Sequence, residues 1–344
     1  MPELKLYTVA QLRDWLMKNH AVEGLSEQVI APTRAWAIIH NPYVQDDDPI
    51  VAALFEEGQL AAYTASFPER IDGKRIWWAS TLYCYPRFAG RGYGLIVVGA
   101  LKEAHEPDLT YDRWGAPETV EICSHLGLQT TYTSRYYLSF KALDLSTFKG
   151  KMANVIQTMQ CYFHPWPKVS LANYSLRYAS YIDGEAYAFM QVHHGNDLWL
   201  REQDMLNWII RYPFKQSCRQ QQRVEKDLHF TSYTSDYEYQ VVKVYNQGQL
   251  VGVYVLRTSL GSFAVVYIYY GNEHKDIIFA TIVDHAIITK PQTIITDNKD
   301  LCLHIRQRLY FPKMKEEKVS FSIPQGKNIP DQYSLQLGDG DSFV

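Results

Sequence analysis

The sequence has no block rich in lysine or arginine: 34 basic side chains stand against 37 acidic ones, a formal net charge of −3. A chain that grips nucleic acid through phosphates presents a basic face, so this balance argues against bulk nucleic-acid binding. No apolar run approaches the ~18 residues of a membrane-spanning helix. The opening "MPELKLYTVAQLRDWL" has no basic stretch leading into an apolar one. The five cysteines (Cys84, Cys123, Cys161, Cys218, Cys302) are odd in number and form no CxxC pair. That pattern argues against a structural zinc site and for free thiols in a reducing compartment. A soluble, cytoplasmic chain without a metal is expected.

What is present is a core-forming composition, with 47% apolar and 21% charged residues. At roughly 150 residues per domain the length suggests two domains. Tyrosine is abundant, at 26 residues, but alternates in runs such as "VVYIYY" and "SRYYLSF", where β-propensity accounts for it.

Residues 7–18 place Val9, Leu12, Leu16 and Met17 on one helical face behind Thr8. Runs at 50–56 and 59–67 flank Glu57-Gly58, and Asp72-Gly73 leads to a third, "RIWWASTLYCY". A glycine loop, a helix to about residue 105, a strand at 109–112, a helix from Pro117 and a strand "RYYLSFKAL" follow. The order recurs faintly in the second half: strands at 238–246, 249–257 and 262–270, then helix, strand, helix, strand. "EEGQLAAY" matches "NQGQLVGVY", and "LTYD" matches "IITD". Such self-similarity predicts a tandem duplication. "LDLSTFKGKMANVIQTMQ" reads as the linker between the halves. Residues 151–236 show little beyond a helix around Met205, Trp208 and Ile209. The tail "LGDGDSFV" reads as a solvated end or a weak cation site.

The chemistry concentrates in "YCYPRFAGRGYG". Gly90, Gly92 and Gly94 leave backbone amides bare, a helix starting near Tyr93 adds unpaired N–H groups and a positive dipole end, and Arg87 and Arg91 can reach an anion with fork geometry. The spacing is neither a Walker loop nor GxGxxG. The elements before it form an antiparallel meander and no βαβ unit. A plain strand-to-helix turn and an anion cradle both remain open on these letters alone.

The order of three strands, glycine loop, helix, strand, helix and strand, with "PRFAGRGYG" at the junction, resembles the GNAT superfamily of acyl-CoA N-acyltransferases. That family carries Gln/Arg-x-x-Gly-x-Gly/Ala there. Ala89 stands at the Gln/Arg position in one register, while Arg87 through Gly92 fits the letters two residues earlier. The resemblance covers roughly residues 5–142; the second half shares only the order of elements. It implies an α+β (mixed α/β) fold of two tandem GNAT-like domains, each a mostly antiparallel twisted sheet flanked by helices. Residues 1–148 would be the acyl-CoA-binding domain and 149–344 a degenerate copy, as in two-domain bacterial members. It further implies that Ala89, Gly90, Arg91, Gly92, Tyr93 and Gly94 hold the pyrophosphate of acetyl-CoA, and that Tyr83, Cys84 and Tyr85 bond its pantetheine arm. An amine of a small molecule or peptide would then attack the thioester directly.

Two family positions differ. Where a tyrosine often protonates the leaving thiolate, this chain has Cys123, which is either a proton donor or a buried helix cysteine. The frequent strand glutamate is missing; Glu69 and Asp72, expected in the preceding turn, and His40 are candidate bases or merely structural. The second loop, "YYGNEHKD", has one glycine and two acids, whose charge would repel a pyrophosphate. It is not expected to bind CoA. A non-catalytic acyl-CoA- or partner-binding module is the rival reading. An aminoacyl- or peptide-transferring tandem enzyme is the third, although no coiled-coil arm is evident. Trp166, Trp199 and Trp208 suggest either an aromatic acceptor cleft or core.

Overall fold

Three tight turns organise the sheet. Glu57-Gly58, Asp72-Gly73 and Gln247-Gly248 each place two successive residues at positive φ (52° and 74°, 50° and 73°, 48° and 85°). This is the hairpin geometry whose twist matches paired strands. The computed structural model describes residues 1–18, 21–113, 115–139, 152, 173–217, 233–234, 236–259, 261–309, 313–327 and 333–340. The linker, Trp166, Cys161, Cys218 and the 148/149 boundary lie outside the described residues.

The first half runs β1 (Glu3–Thr8), α1 (Val9–Lys18), α2 (Pro32–Ile39), β2 (Pro49–Glu56), β3 (Gln59–Ile71), β4 (Lys74–Cys84), α3 (Tyr93–Ala104), β5 (Leu109–Arg113), α4 (Pro117–His125) and β6 (Leu128–Ser139). The second runs β7 (Tyr174–Ala179), α5 (Gly184–His193), α6 (Gln203–Arg211), the two-residue strands β8 (Gln216–Ser217) and β9 (Tyr233–Thr234), and β10 (Tyr237–Asn246). It continues with β11 (Gln249–Ser259), β12 (Ser262–Tyr270), α7 (Lys275–Thr289), β13 (Thr293–Thr296), α8 (Lys299–Arg308) and β14 (Lys313–Pro324). Strand β1 precedes the expected first helix, and α2 fills a stretch whose pattern was unreadable. Thr8 caps α1 through the pair Gln11 N–H to Thr8 Oγ1 (3.4 Å) and Thr8 N–H to Gln11 Oε1 (2.8 Å). Met17, expected on the buried face, is exposed.

The large sheet has twelve strands in the order β1-β2-β3-β4-β5-β14-β6-β13-β12-β11-β10-β7. The order is symmetric about the β14/β6 pair. The last strand of each half lies inside the other half's run: β14 pairs with β5, and β6 with β13, both antiparallel. The two half-sheets are thus one continuous sheet. One shared core lies beneath it, built from α1, α2, α5 and α6 with Trp77, Trp78, Trp208 and Phe214. On the opposite face α3 covers the first half, and α7 and α8 cover the second. No helix of the described residues is long and apolar enough to cross a membrane.

Candidate functional site

The β4/β5 pair is the one parallel pairing of the first half among the described residues, and it is short. Strand β4 meets β5 at Ile76–Leu109, Trp77–Thr110 and Trp78–Tyr111, and there the two strands part. Just past this apex Thr81 takes φ 55°. The register with β3 slips between Ser80–Ala65 and Tyr83–Tyr63, a bulge that bends the strand. From Trp78 to Cys84, roughly 20 Å of strand edge, β4 faces a wedge-shaped gap. Tyr83, Cys84 and Tyr85 stand at the mouth of that gap, with Tyr85 N–H paired back to Ala61 O at 2.9 Å.

The glycine loop closes the mouth. Pro86–Phe88 makes one 3₁₀ turn, ending in Ala89 N–H to Pro86 O at 3.1 Å. Gly90 and Gly92 adopt φ 77° and 73° with nothing within 4 Å of where a Cβ would stand, so backbone freedom alone selects glycine there. Gly94 serves packing: a Cβ would lie 2.9 Å from Ile122 Cδ1 and 3.1 Å from Cys84 Sγ. Ile96 N–H, bonded to Gly92 O at 3.2 Å, opens the ladder of α3. The amides of Gly90 to Leu95 find no backbone carbonyl among the described residues. Gly94 N–H instead points to the Cys84 sulfur. Converging unpaired amides at the start of a helix form an anion site. Arg87 lies over the Phe88 ring (4.8 Å) and Arg91 holds Glu56 at 2.5 Å; the Arg91 side chain is half exposed, and Tyr93 is buried beneath it.

Glu69 is placed differently from the sequence expectation. It lies within β3, opposite Ile76, and is fully buried. Trp78 Nε1 donates to its Oε2 at 2.5 Å and Arg201 Nη2 lies 3.1 Å away. Its Oε1 has no hydrogen-bond partner among the described residues. Burial pushes this carboxyl up to about 7, against the opposing pull of Arg201 and Trp78. It lies one strand in from the β4/β5 gap and is tied to the gap's closed end through Trp78, the last β4 residue paired with β5. Asp72 stays in the β3–β4 turn, and His40 Nδ1 donates to Trp36 O while the ring stacks on Tyr212.

Cys123, on α4, is also buried, with its thiol pushed up to about 12 chiefly by burial and secondly by nearby Asp112. Tyr111 and Phe321 face the shared core while the next residues, Asp112 and Ser322, face α4. Glu69 and Cys123 therefore approach the gap from opposite faces of the sheet. Arg201 and Arg113 carried no sequence signal, and Asp297 and Asp339 were noted only within a repeat match and an acidic tail, yet the four join the halves beneath the apex. Arg113 and Arg135 share Asp297 (2.7 and 2.9 Å), and Arg201 also donates to Gly340 O at 2.8 Å. Trp199 and Trp208 are core residues: Trp199 packs on Trp78 and Trp208 Nε1 donates to Ala37 O.

The second half repeats the gap and fills it. Strand β12 meets β13 only at Ser262–Thr293, Phe263–Ile294 and Ala264–Ile295. Along the rest of its edge lies the chain's own segment 333–340. Gly338 N–H donates to Val266 O at 3.1 Å, Gln336 Nε2 reaches Ile268 O at 3.4 Å, and Leu335, Leu337 and Asp339 are buried. The tail expected to be solvated is thus interior through Gly340. The second loop also lacks the cradle: its 3₁₀ turn, Asn272–His274, runs straight into α7 at Lys275 with nothing corresponding to Ala89–Gly92, and the Glu273 carboxylate folds back over Gly271. Among the described residues, no group of three or more acidic, histidine or cysteine side chains could hold a metal.

A sheet opened by a splayed parallel pair, with a glycine loop leading into a helix at its mouth, has the fold of the GNAT superfamily. The splayed pair recurs in the second half, while the glycine loop belongs to the first. A GCN5-related N-acetyltransferase of Anabaena variabilis is similar at TM-score 0.51 and 9% identity, covering 93% of this chain and 72% of that one. A tandem GNAT protein of the clavulanic acid biosynthesis pathway is similar at TM-score 0.51 and 12% identity, covering 95% and 100%. Saccharomyces cerevisiae N-myristoyltransferase, solved with bound myristoyl-CoA, is similar at TM-score 0.50 and 12% identity, covering 96% and 80%. No protein-family model and no curated protein matches the sequence.

Proposed function

We propose that this chain is an acyl-CoA-dependent N-acyltransferase whose first half binds the CoA and whose second half shapes the site. One observation carries the reading: of two equivalent gaps, the second is occupied by an extended segment of the chain itself, while the first combines a strand edge with a loop of unpaired amides. A pantetheine arm, like the tail, is a linear chain bearing amides, and it would add to the β4 edge as Gly338 adds to β12. The free loop amides from Gly90 to Tyr93 would take the pyrophosphate, with Arg87 and Arg91 at its flank; the Ala89 and Gly94 amides are already engaged by Pro86 O and the Cys84 sulfur.

The thioester then lies toward the apex. An amine attacks its carbonyl carbon, a C–N bond forms, and the carbonyl oxygen takes negative charge that a β4 amide stabilises. As the C–S bond breaks, the electron pair leaves on sulfur. Glu69, at about 7, takes the proton from the nitrogen, and its acid form is strong enough to return it to a thiolate whose thiol has an ordinary value of about 8.5. Cys123, at about 12, holds its proton more tightly than that thiolate would, so donation from it runs uphill. Positioning supplies the remainder. Because one neighbour was solved with myristoyl-CoA, the fold by itself leaves the acyl length open.

Calorimetric titration with CoA tests the reading. Wild type is expected to bind, and Gly92→Glu to lose at least tenfold in affinity with its melting temperature little changed. Gly92→Ala, bearing the same left-handed strain of about 1–2 kcal/mol without the charge, should retain more of the binding. Wild-type affinity in the Gly92→Glu variant would remove the phosphate assignment.

A further inference from the structure

The apex of the β4/β5 gap is walled by aromatic rings from four separate segments. Trp78 of β4 lies 5.6 Å from Tyr111 of β5, 6.3 Å from Phe321 of β14 and 6.0 Å from Trp199 of the segment before α6. Trp199 and Phe321 close the ring at 5.6 Å. Trp78 and Phe321 are fully buried and Tyr111 nearly so. The floor is sealed by Gly340, where an added Cβ would stand 3.2 Å from Trp78 Cζ3 and 2.8 Å from Arg113 Cβ. Interiors packed to this density admit an extra methylene only by displacing a side chain.

Resting on the assignment of the arm to β4, we infer that the acyl donor is short, two or three carbons long, and that Trp78, Tyr111, Trp199 and Phe321 set this limit. An arm anchored at the glycine loop and laid along β4 points its acyl end at this cluster. A longer chain would be stopped in the plane of the sheet by the β4–β5 ladder at Trp78–Tyr111 and would have to turn into these rings on the core face. Two of the four rings come from the second half of the sequence, so the degenerate repeat defines the donor without holding any of the CoA headgroup. The cluster is specificity-determining and takes no part in bond making.

The measurement is a titration series with CoA, acetyl-CoA, butyryl-CoA and octanoyl-CoA on the full chain. CoA and acetyl-CoA are expected to bind alike, and octanoyl-CoA at least tenfold more weakly. An open apolar channel would give the opposite trend, about fourfold tighter for each methylene buried. Trp199→Ala removes a half-buried ring and should restore octanoyl-CoA binding at least fivefold with acetyl-CoA unchanged. Phe321→Leu serves the same purpose if that variant fails to fold. Affinity that is level or rising with chain length in wild type overturns the inference, as does octanoyl-CoA binding unmoved by both substitutions. Failure of CoA itself to bind would instead overturn the site assignment beneath it.

Discussion

Glu69 holds its carboxyl where water cannot hydrate the charge, and that single fact underlies the role proposed for it. An ordinary glutamate near 4.5 is a feeble base at neutral pH; desolvation raises this one to about 7 even with Arg201 at 3.1 Å. In the proposed reaction the deprotonated form accepts the amine proton, so acyl transfer is expected to rise about tenfold per pH unit below about 7 and to level off above it. Glu69→Gln should lower the plateau by about two orders of magnitude and abolish that limb, as read from kcat/KM against pH with acetyl-CoA. A limb that persists unchanged in the variant would assign the titration to another group. The sequence placed Glu69 in a turn because Pro68 precedes it, and proline ordinarily ends a central strand. Here β2 stops pairing with β3 at Ala65, so the missing N–H of Pro68 falls on an open side, where Asn41 Nδ2 donates to Pro68 O at 3.0 Å. That exemption is tertiary and leaves no mark in the local pattern.

At the scale of elements, legibility followed the range of the interaction. The three hairpins were readable because each is specified by two adjacent turn residues, and the glycine loop because φ 77° and 73° admit few residues other than glycine. The segment 333–340 was not, since its two glycines and two aspartates between 337 and 341 read as an exposed end. What buries Asp339 is Arg201 together with backbone from β12, far away in the chain. Its fit is close: a Cβ on Gly338 would meet the Tyr267 ring at 2.5 Å. Gly338→Leu is therefore expected to lever the segment out of the second gap, at about 1–3 kcal/mol of overpacking. The readouts are a melting temperature lower by a few degrees and faster proteolytic clipping near the C-terminal end. If the variant melts and resists protease like wild type, the segment is not wedged as described.

Over the whole molecule the duplication is visible in sequence, whereas its consequence is not. Periodicity tells which residues form a strand and nothing about which strand it joins, so the reciprocal placement of β6 and β14 had no precursor in the pattern. Even the repeat was misaligned by one residue. Matching "LTYD" to "IITD" equates Asp112 with Asp297, but the strand registers place Arg113 at the position of Asp297, and those two side chains form the ion pair that joins the halves. A symmetric sheet with two splayed pairs would, by geometry alone, offer two CoA sites. On the proposed reading three differences leave one: the second gap is filled by residues 333–340, the second loop runs from its 3₁₀ turn straight into α7 with nothing corresponding to Ala89–Gly92, and Glu273 and Asp276 put negative charge where that helix begins. Isothermal titration with CoA should accordingly saturate at about one molecule per chain, and Gly92→Glu should abolish the whole signal rather than half of it. A stoichiometry of two, or a residual site of undiminished affinity in that variant, would mean that the tail yields to the ligand and that both repeats bind.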